Sequence, residues 1–377
     1  MVENNISIRE LAKLFFKLGV IGFGGPAAHI AMMQDEVVIK RKWLTDQHFL
    51  DLMGATNLIP GPNSTEMAIH IGREKGGWKG LIVAGLCFII PAVFITGIFA
   101  WLYKKYGQLP EIQPFVYGIK PAIIAIILGA IFPLAKKSFK SVELIFLAIL
   151  VLIGAFCNIN EIYLMFGAGF LALTLTYIRS PKSHDIHSFV PLALVPFGST
   201  SILAASNTKL FWIFLKIGSI LYGSGYVLFA FLDAELVSTG LLSRQQLIDA
   251  IAVGQFTPWP VFSSVTFIGY QINGWAGAVI STMAIFLPSF VFVALLNPLV
   301  KKMRNSQLLS SFLDAVNVAA VALIVAICIE MGKETITEWR TILIAIVSII
   351  FAFGYRKLNS AFIVLGGAVF GWLLSMV

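Results

Sequence analysis

Long apolar runs, separated by short clusters of glycine, proline and charge, organise this chain from end to end. Nine runs are apolar over most of their length: Leu81 to Leu102, Ala122 to Leu134, Leu144 to Phe156, Ile162 to Ile178, Phe211 to Leu232, Ala276 to Leu299, Ala315 to Ile329, Ile342 to Phe353 and Ala361 to Met376. A hydrocarbon core about 30 Å thick takes about 20 residues of helix. The longer runs therefore predict membrane-crossing helices, and the shorter ones predict crossings completed by flanking residues. Two more polar segments, about Thr45 to Ile59 and Asn63 to Arg73, cover only about half of that thickness. They predict a helical hairpin that enters and leaves on one side.

The pattern occurs twice. "FFKLGVIGFGG" from Phe15 aligns with "FLKIGSILYGS" from Phe214, so that Lys17, Gly19, Ile21 and Gly24 match Lys216, Gly218, Ile220 and Gly223. "LTDQHFLD" from Leu44 meets "LSRQQLID" from Leu242, "IPGP" meets "TPWP", and "GWKG" from Gly77 meets "GWAG" from Gly274. Two homologous halves follow, about 1–178 and 209–377, joined by a polar, proline-containing linker, 179–208. Each half opens with a helix, Ser7 to about Gly22 and Lys209 to about Tyr222. Ser7 with Glu10, and Ser243 with Gln246, have capping-box spacing and mark helix starts.

One first helix and four apolar spans make about five crossings per half, an odd number that mounts the second half upside down. A broken crossing in place of the hairpin would flip the parity and leave the halves parallel. Charge favours inversion. With inversion, Lys40-Arg41-Lys42, Arg73, Lys75, Lys79, Lys136-Lys137, Arg179, Lys182, Lys301-Lys302, Arg304 and Arg356-Lys357 share one side; the acidic stretch from Asp233 to Asp249 takes the other, with Lys104-Lys105 as the exception. The expected fold is an all-α integral membrane protein of two inverted repeats, each with about five spans plus a short broken-helix hairpin.

Composition agrees. Hydrophobic residues make up 58% of the chain and charged residues 12%, with a mean hydropathy of +0.88. No soluble domain of this length buries that much apolar surface. The net charge of +8 then marks loops on the cytoplasmic side rather than a nucleic-acid partner. Cys87, Cys157 and Cys328 stand alone in apolar stretches, which excludes a disulfide framework and a cysteine metal site. The N-terminus lacks a signal-cleavage pattern, so the mature chain is expected to begin near Met1. His184 and His187 are too few for a metal centre; no cofactor is expected. Clustered carboxylates and activated nucleophiles are missing at membrane depth, which leaves a lipid-headgroup enzyme as the remote alternative.

Inverted repeats with interrupted helices point to a secondary transporter whose substrate sits where half-helices end. Irregular backbone at membrane depth must be buried in protein or line a wet cavity, and "GFGGP", "IPGPNST", "YGSG" and "TPWP" are four such breaks. After Pro62, Asn63 is a good N-cap with Glu66 at its N3 position, so a half-helix begins there with unpaired N–H groups. Those donors, the positive end of the helix dipole and the hydroxyls of Ser64 and Thr65 suit an anion. The second half offers Ser263 and Ser264 after Pro260, and Gly24, Gly25, Gly223 and Gly225 allow close backbone approach, with Ser224 among the candidate site residues. Arg9, Lys13 and Lys17 form a basic stripe; Lys17, repeated as Lys216, is the deepest, and either binds the anion or snorkels to the interface. Glu66 is either a capping partner or a proton carrier, and His70 is one turn further on.

The motifs "KLGVIGFGGP", "ATNLIPGPNST" and "GREKGGWKG", with their degenerate second copies, resemble the chromate ion transporter family in its two-domain, long-chain form. The resemblance covers nearly the whole chain outside the linker. It implies a bacterial or archaeal inner-membrane protein, multi-pass, that exports chromate and confers resistance, with sulfate as the substrate's structural relative. The family's motif positions fall on Gly22, Phe23, Gly24, Gly25, Pro26, Asn57, Pro60, Gly61, Pro62 and Thr65. The second half departs from them at Tyr222-Gly223-Ser224-Gly225 and Pro258-Trp259-Pro260. The expected partners are a small oxyanion and the lipid bilayer, and a homo-oligomer stays open.

Overall fold

The computed structural model describes residues 6–22, 26–107, 109–179, 206–222, 225–256, 261–296, 307–354 and 360–376. Among these residues the regular structure is helical throughout. In the first half, α1 (Ile8–Ile21) is followed by α2 (Pro26–Gln34), which continues as a π-helical turn (Asp35–Lys40); then come α3 (Asp46–Thr56), α4 (Asn63–Tyr106), α5 (Gln113–Ser138), α6 (Val142–Phe156) and α7 (Glu161–Arg179). The second half repeats the order: α8 (Asn207–Ile220), α9 (Val227–Leu232) with its own π turn (Asp233–Val237), α10 (Arg244–Phe256), α11 (Ser264–Leu296), α12 (Gln307–Thr335), α13 (Trp339–Gly354) and α14 (Ser360–Leu374).

The first helix of each half is an arm of a hairpin, not a crossing. With 14 residues, α1 reaches about 21 Å. The returning arm then comes back beside its start: Arg41 pairs with Glu10 at 3.1 Å and Lys17 with Glu36 at 2.9 Å. Phe211 to Leu232, a single apolar run in the sequence, is likewise the α8 and α9 arms with a break between them. Apolar length alone does not separate one long crossing from two short arms folded together. The expected caps form: Ser7 Oγ accepts from Glu10 N–H, and Ser243 and Gln246 exchange both bonds of a capping box, at 2.9 and 3.1 Å.

A second hairpin follows in each half. At Gly77 the backbone takes φ 59°, ψ −147°, and at Gly274 φ 59°, ψ −152°. Both are conformations open almost only to glycine. There α4 and α11 fold back on themselves, so that Gly72 packs against Gly80 and Gly269 against Gly277. Residues 78–106 and 275–296 continue as long helices. From residues 78 and 275 onward each half thus has four long apolar helices; with its first helix not a crossing, the expected count of about five spans falls to four, and the orientation of the halves is read from contacts rather than from parity.

Contacts across the halves establish inversion. Gly85 of α4 faces Phe290 of α11, Gly97 faces Trp275, and the Ala100 carbonyl accepts from Gln271. Rising numbers on one helix meet falling numbers on its counterpart. Two equivalent helices packed antiparallel require a two-fold axis across their length. Smaller details obey it: Gly19 of α1 seats on the Phe88 carbonyl, and Gly218 of α8 on the Ile285 carbonyl. The halves also interlock. α5 packs on α13 and α14 of the other half, its Gly118 against Gly367 and Gly371, while α12 packs on α6 and α7.

Charge is divided between the two ends. At one end lie Arg41, Arg73, Lys137, Lys140 and Arg179, the last paired with Glu143 at 2.8 Å. At the other lie Asp233, Arg244, Glu330 and Glu334, together with Lys104, which rests over the Tyr270 ring. Large apolar side chains such as Phe94, Phe132, Phe146, Met283 and Ile350 remain exposed between the ends, the outer surface a bilayer would cover.

No atom lies within 4 Å of a Cβ built on Gly77 or Gly274, so the cost of a side chain there is backbone strain alone. Gly77→Ala is expected to destabilise the protein by about 1–3 kcal/mol, read as a lower thermal midpoint in detergent, with Gly274→Ala matching it.

Candidate anion-binding site

The break before α4 is built from both repeats. Pro62 is its N-cap residue and makes no side-chain cap bond. The capping box expected of Asn63 and Glu66 does not form. Asn63 instead enters the helix as its first residue, and its side-chain amide donates to Asn57 Oδ1 at 2.8 Å. Glu66 turns inward, fully buried, with Oε1 accepting from Ser289 of the other repeat at 3.3 Å. The Thr65 and Glu66 N–H groups close onto the Pro62 carbonyl at 2.8 and 3.1 Å. Gly61 N–H donates at 2.8 Å to the carbonyl of Leu221, at the break of the second half's first hairpin.

Behind this tip lies a row of buried polar atoms. Thr65 Oγ1, Glu66 Oε2 and both ring nitrogens of His70 have no hydrogen-bond partner among the described residues. Pro60, Gly61, Pro62 and Ser64 are also buried. The second half builds the matching place differently: Thr96 Oγ1 donates to Ser263 Oγ at 3.3 Å, while Ser264 Oγ is buried without a partner among the described residues. Pro26 is the first residue of α2. Gly24, Gly25, Gly223 and Ser224 lie outside the described residues.

In front of the tip is a cavity of about 300 Å³ that opens toward the basic end. Of the predicted site residues, Asn57 and Asn63 line it. Tyr222, Lys137, Lys140 and Asn317 line it too, and sequence reasoning missed them as site residues. Lys137 was legible only as a marker of sidedness; α5 brings it to the mouth of the cavity. Lys140 is neutralised by Asp314 at 2.7 Å.

Lys17 and Lys216 are elsewhere. Lys17 donates to Glu36 at 2.9 Å and Lys216 to Glu235 at 2.6 Å, each pair 19 residues apart. These are matched clasps that hold each first hairpin closed, and neither lysine lines the cavity. The repeated acid was a signal available in the sequence, because Glu36 and Glu235 recur at the same spacing as the lysines. No group of three metal-ligating side chains occurs among the described residues.

Antiparallel twin modules, helices interrupted at depth, and a polar cavity ending on one interruption define a multi-pass helical membrane transporter. The comparison with known proteins gives its family. The chromate transporter family model matches residues 9–173 and again 208–372, and the chain belongs to that family. It is 31% identical to the chromate transport protein of Cupriavidus metallidurans, over 97% of this chain and 92% of that one. It is 29% identical to a probable chromate transport protein of Synechococcus elongatus, over 97% and 95%, and 26% identical to the chromate transport protein of Pseudomonas aeruginosa, over 98% and 93%. No solved structure matches it.

The clasps can be told from ligands by charge exchange. Lys216→Glu alone is expected to lower folded yield. Adding Glu235→Lys should restore both yield and transport, measured by size-exclusion chromatography and by flux; a folded but inactive exchange variant would show that Lys216 touches the anion.

Proposed function

We propose that this protein exports chromate from the cytoplasm across the inner membrane, driven by the membrane potential with or without protons, and so confers chromate resistance. The observation that carries this reading is the cavity between the basic end and the Asn57–Asn63 tip. An excess of Lys and Arg marks the cytoplasmic side, which makes that cavity inward-facing. Lys137 attracts an anion there, and the amides of Asn57 and Asn63 supply donors at the positive end of a half-helix.

Energetics favour this direction. Each elementary charge is worth about 2.3 kcal/mol per 100 mV, so with the inside negative a dianion leaves downhill by about twice that. Uptake would need about three co-transported protons to reverse the sign of the moved charge. In the coupled version Glu66 and His70 carry the proton, on the inner side of the same half-helix that holds the anion.

Purified protein in liposomes should exchange labelled chromate, move net negative charge with it, and show competition by sulfate. Exchange of sulfate with no effect of chromate would make it a permease for another tetrahedral anion. Glu66→Gln should leave transport in place but flatten its pH dependence. An unchanged pH profile would reduce Glu66 to a hydrogen-bonding role.

A further inference from the structure

The cavity at the basic end has a neighbour. A second cavity, about 290 Å³, opens at the opposite end and is lined by Asn158, Glu161, Asp233, Arg244 and Glu330. Both lie along one seam, where α9 packs on α12. On α12 the first cavity takes Asn317, Ala320 and Ile324, and the second takes Leu323, Ile327 and Glu330. These positions recur at helical spacing and form one continuous stripe. On α9 the first cavity takes Val227 and the second Ala230, with Asp233 one turn beyond.

The two cavities are therefore separated by a thin apolar plug. From Val227 to Ala230, and from Ile324 to Ile327, is three residues, about 4.5 Å along each helix. Val227, Ala230, Leu323, Ile324 and Ile327 are all buried. The residues between them on these two helices, Leu228, Phe229, Val325 and Ala326, are apolar as well. A short dry constriction of this kind blocks ions by excluding water, and it opens when its walls part by a small amount. One wall is well suited to move: α9 has only six residues and runs directly into a π turn, an irregularity frequent at functional sites.

Resting on the transport reading above, we propose that the anion crosses along the α9–α12 seam, with Val227, Ala230, Ile324 and Ile327 as its gate. The pseudo-two-fold axis then does not carry the path; the gate belongs to the second repeat, while residues of both repeats line its two mouths. The ends of the seam differ in sign. Lys137 at the basic mouth corresponds under the repeat to Glu334 at the far end, where Glu334, Glu330 and Asp233 gather around Arg244. An anion is attracted at the first mouth, and the carboxylates of the second disfavour its return.

Two variants test the route in proteoliposomes. Ala230→Phe fills the gate: chromate flux should fall by about tenfold or more, while binding to the detergent-purified protein stays within about twofold of the parent, as for a blocked constriction. Val227→Cys reports opening without added bulk. Its labelling by a membrane-impermeant thiol reagent, corrected for the parent's three cysteines, should speed up by about fivefold or more when chromate is present, because the plug parts only during turnover. Flux through Ala230→Phe at the parental rate, or labelling indifferent to chromate, overturns the route while leaving the transport reading intact. A parent that moves neither chromate nor sulfate overturns both.

Discussion

A lipid interior offers nothing for a bare peptide group to bond with, and that constraint governs every break in these helices. The hydrogen bond from Gly61 N–H to the Leu221 carbonyl is where it is met most economically. The loop of one repeat satisfies the unwound end of the other, so neither break is complete alone. Gly61 takes φ 134°, and a side chain there would strike the Glu66 carboxylate and the Ser289 hydroxyl. The Asn57–Asn63 tip, the burial of Glu66 and the depth of the basic cavity all follow from this one junction.

Much of the fold was legible because repeats and apolar length are written directly in the residues. Gly77 and Gly274, Lys17 and Lys216, and Thr45 and Ser243 each mark the same structural place in both halves. The hairpins were harder to read. A run such as Phe211 to Leu232 is apolar whether it crosses once or folds back, and only the partner contacts, Glu235 to Lys216 among them, decide. The tip was found from its prolines, but its cap was assigned wrongly. Local spacing favours Asn63 with Glu66, whereas Ser289, far off in sequence, draws Glu66 inward. Lys137, Tyr222 and Asn317 were invisible as site residues because three different elements bring them together.

The skeleton is symmetric while the chemistry is not. Glycines hold equivalent contacts in both halves, yet Lys140 with Asp314 at one end is answered by Tyr117 with Glu338 at the other. The buried Glu66 is answered by serine hydroxyls. On that two-fold frame, unlike side chains give the two ends different affinities for charge. The electrostatic difference between the ends thus arises from substitution on a duplicated frame rather than from a different frame.

The interlocking of the halves sets an order on biosynthesis. Gly118 of α5 is closed over by Gly367 and Gly371 of α14, about 250 residues later; at roughly 5–20 residues per second that is a wait of about 13–50 s. Throughout that interval α5 is in the membrane with its glycine groove unfilled. The docking of α14 on α5 is therefore a late event, and a chain lacking α14 would lose a packing partner of one of its early crossings.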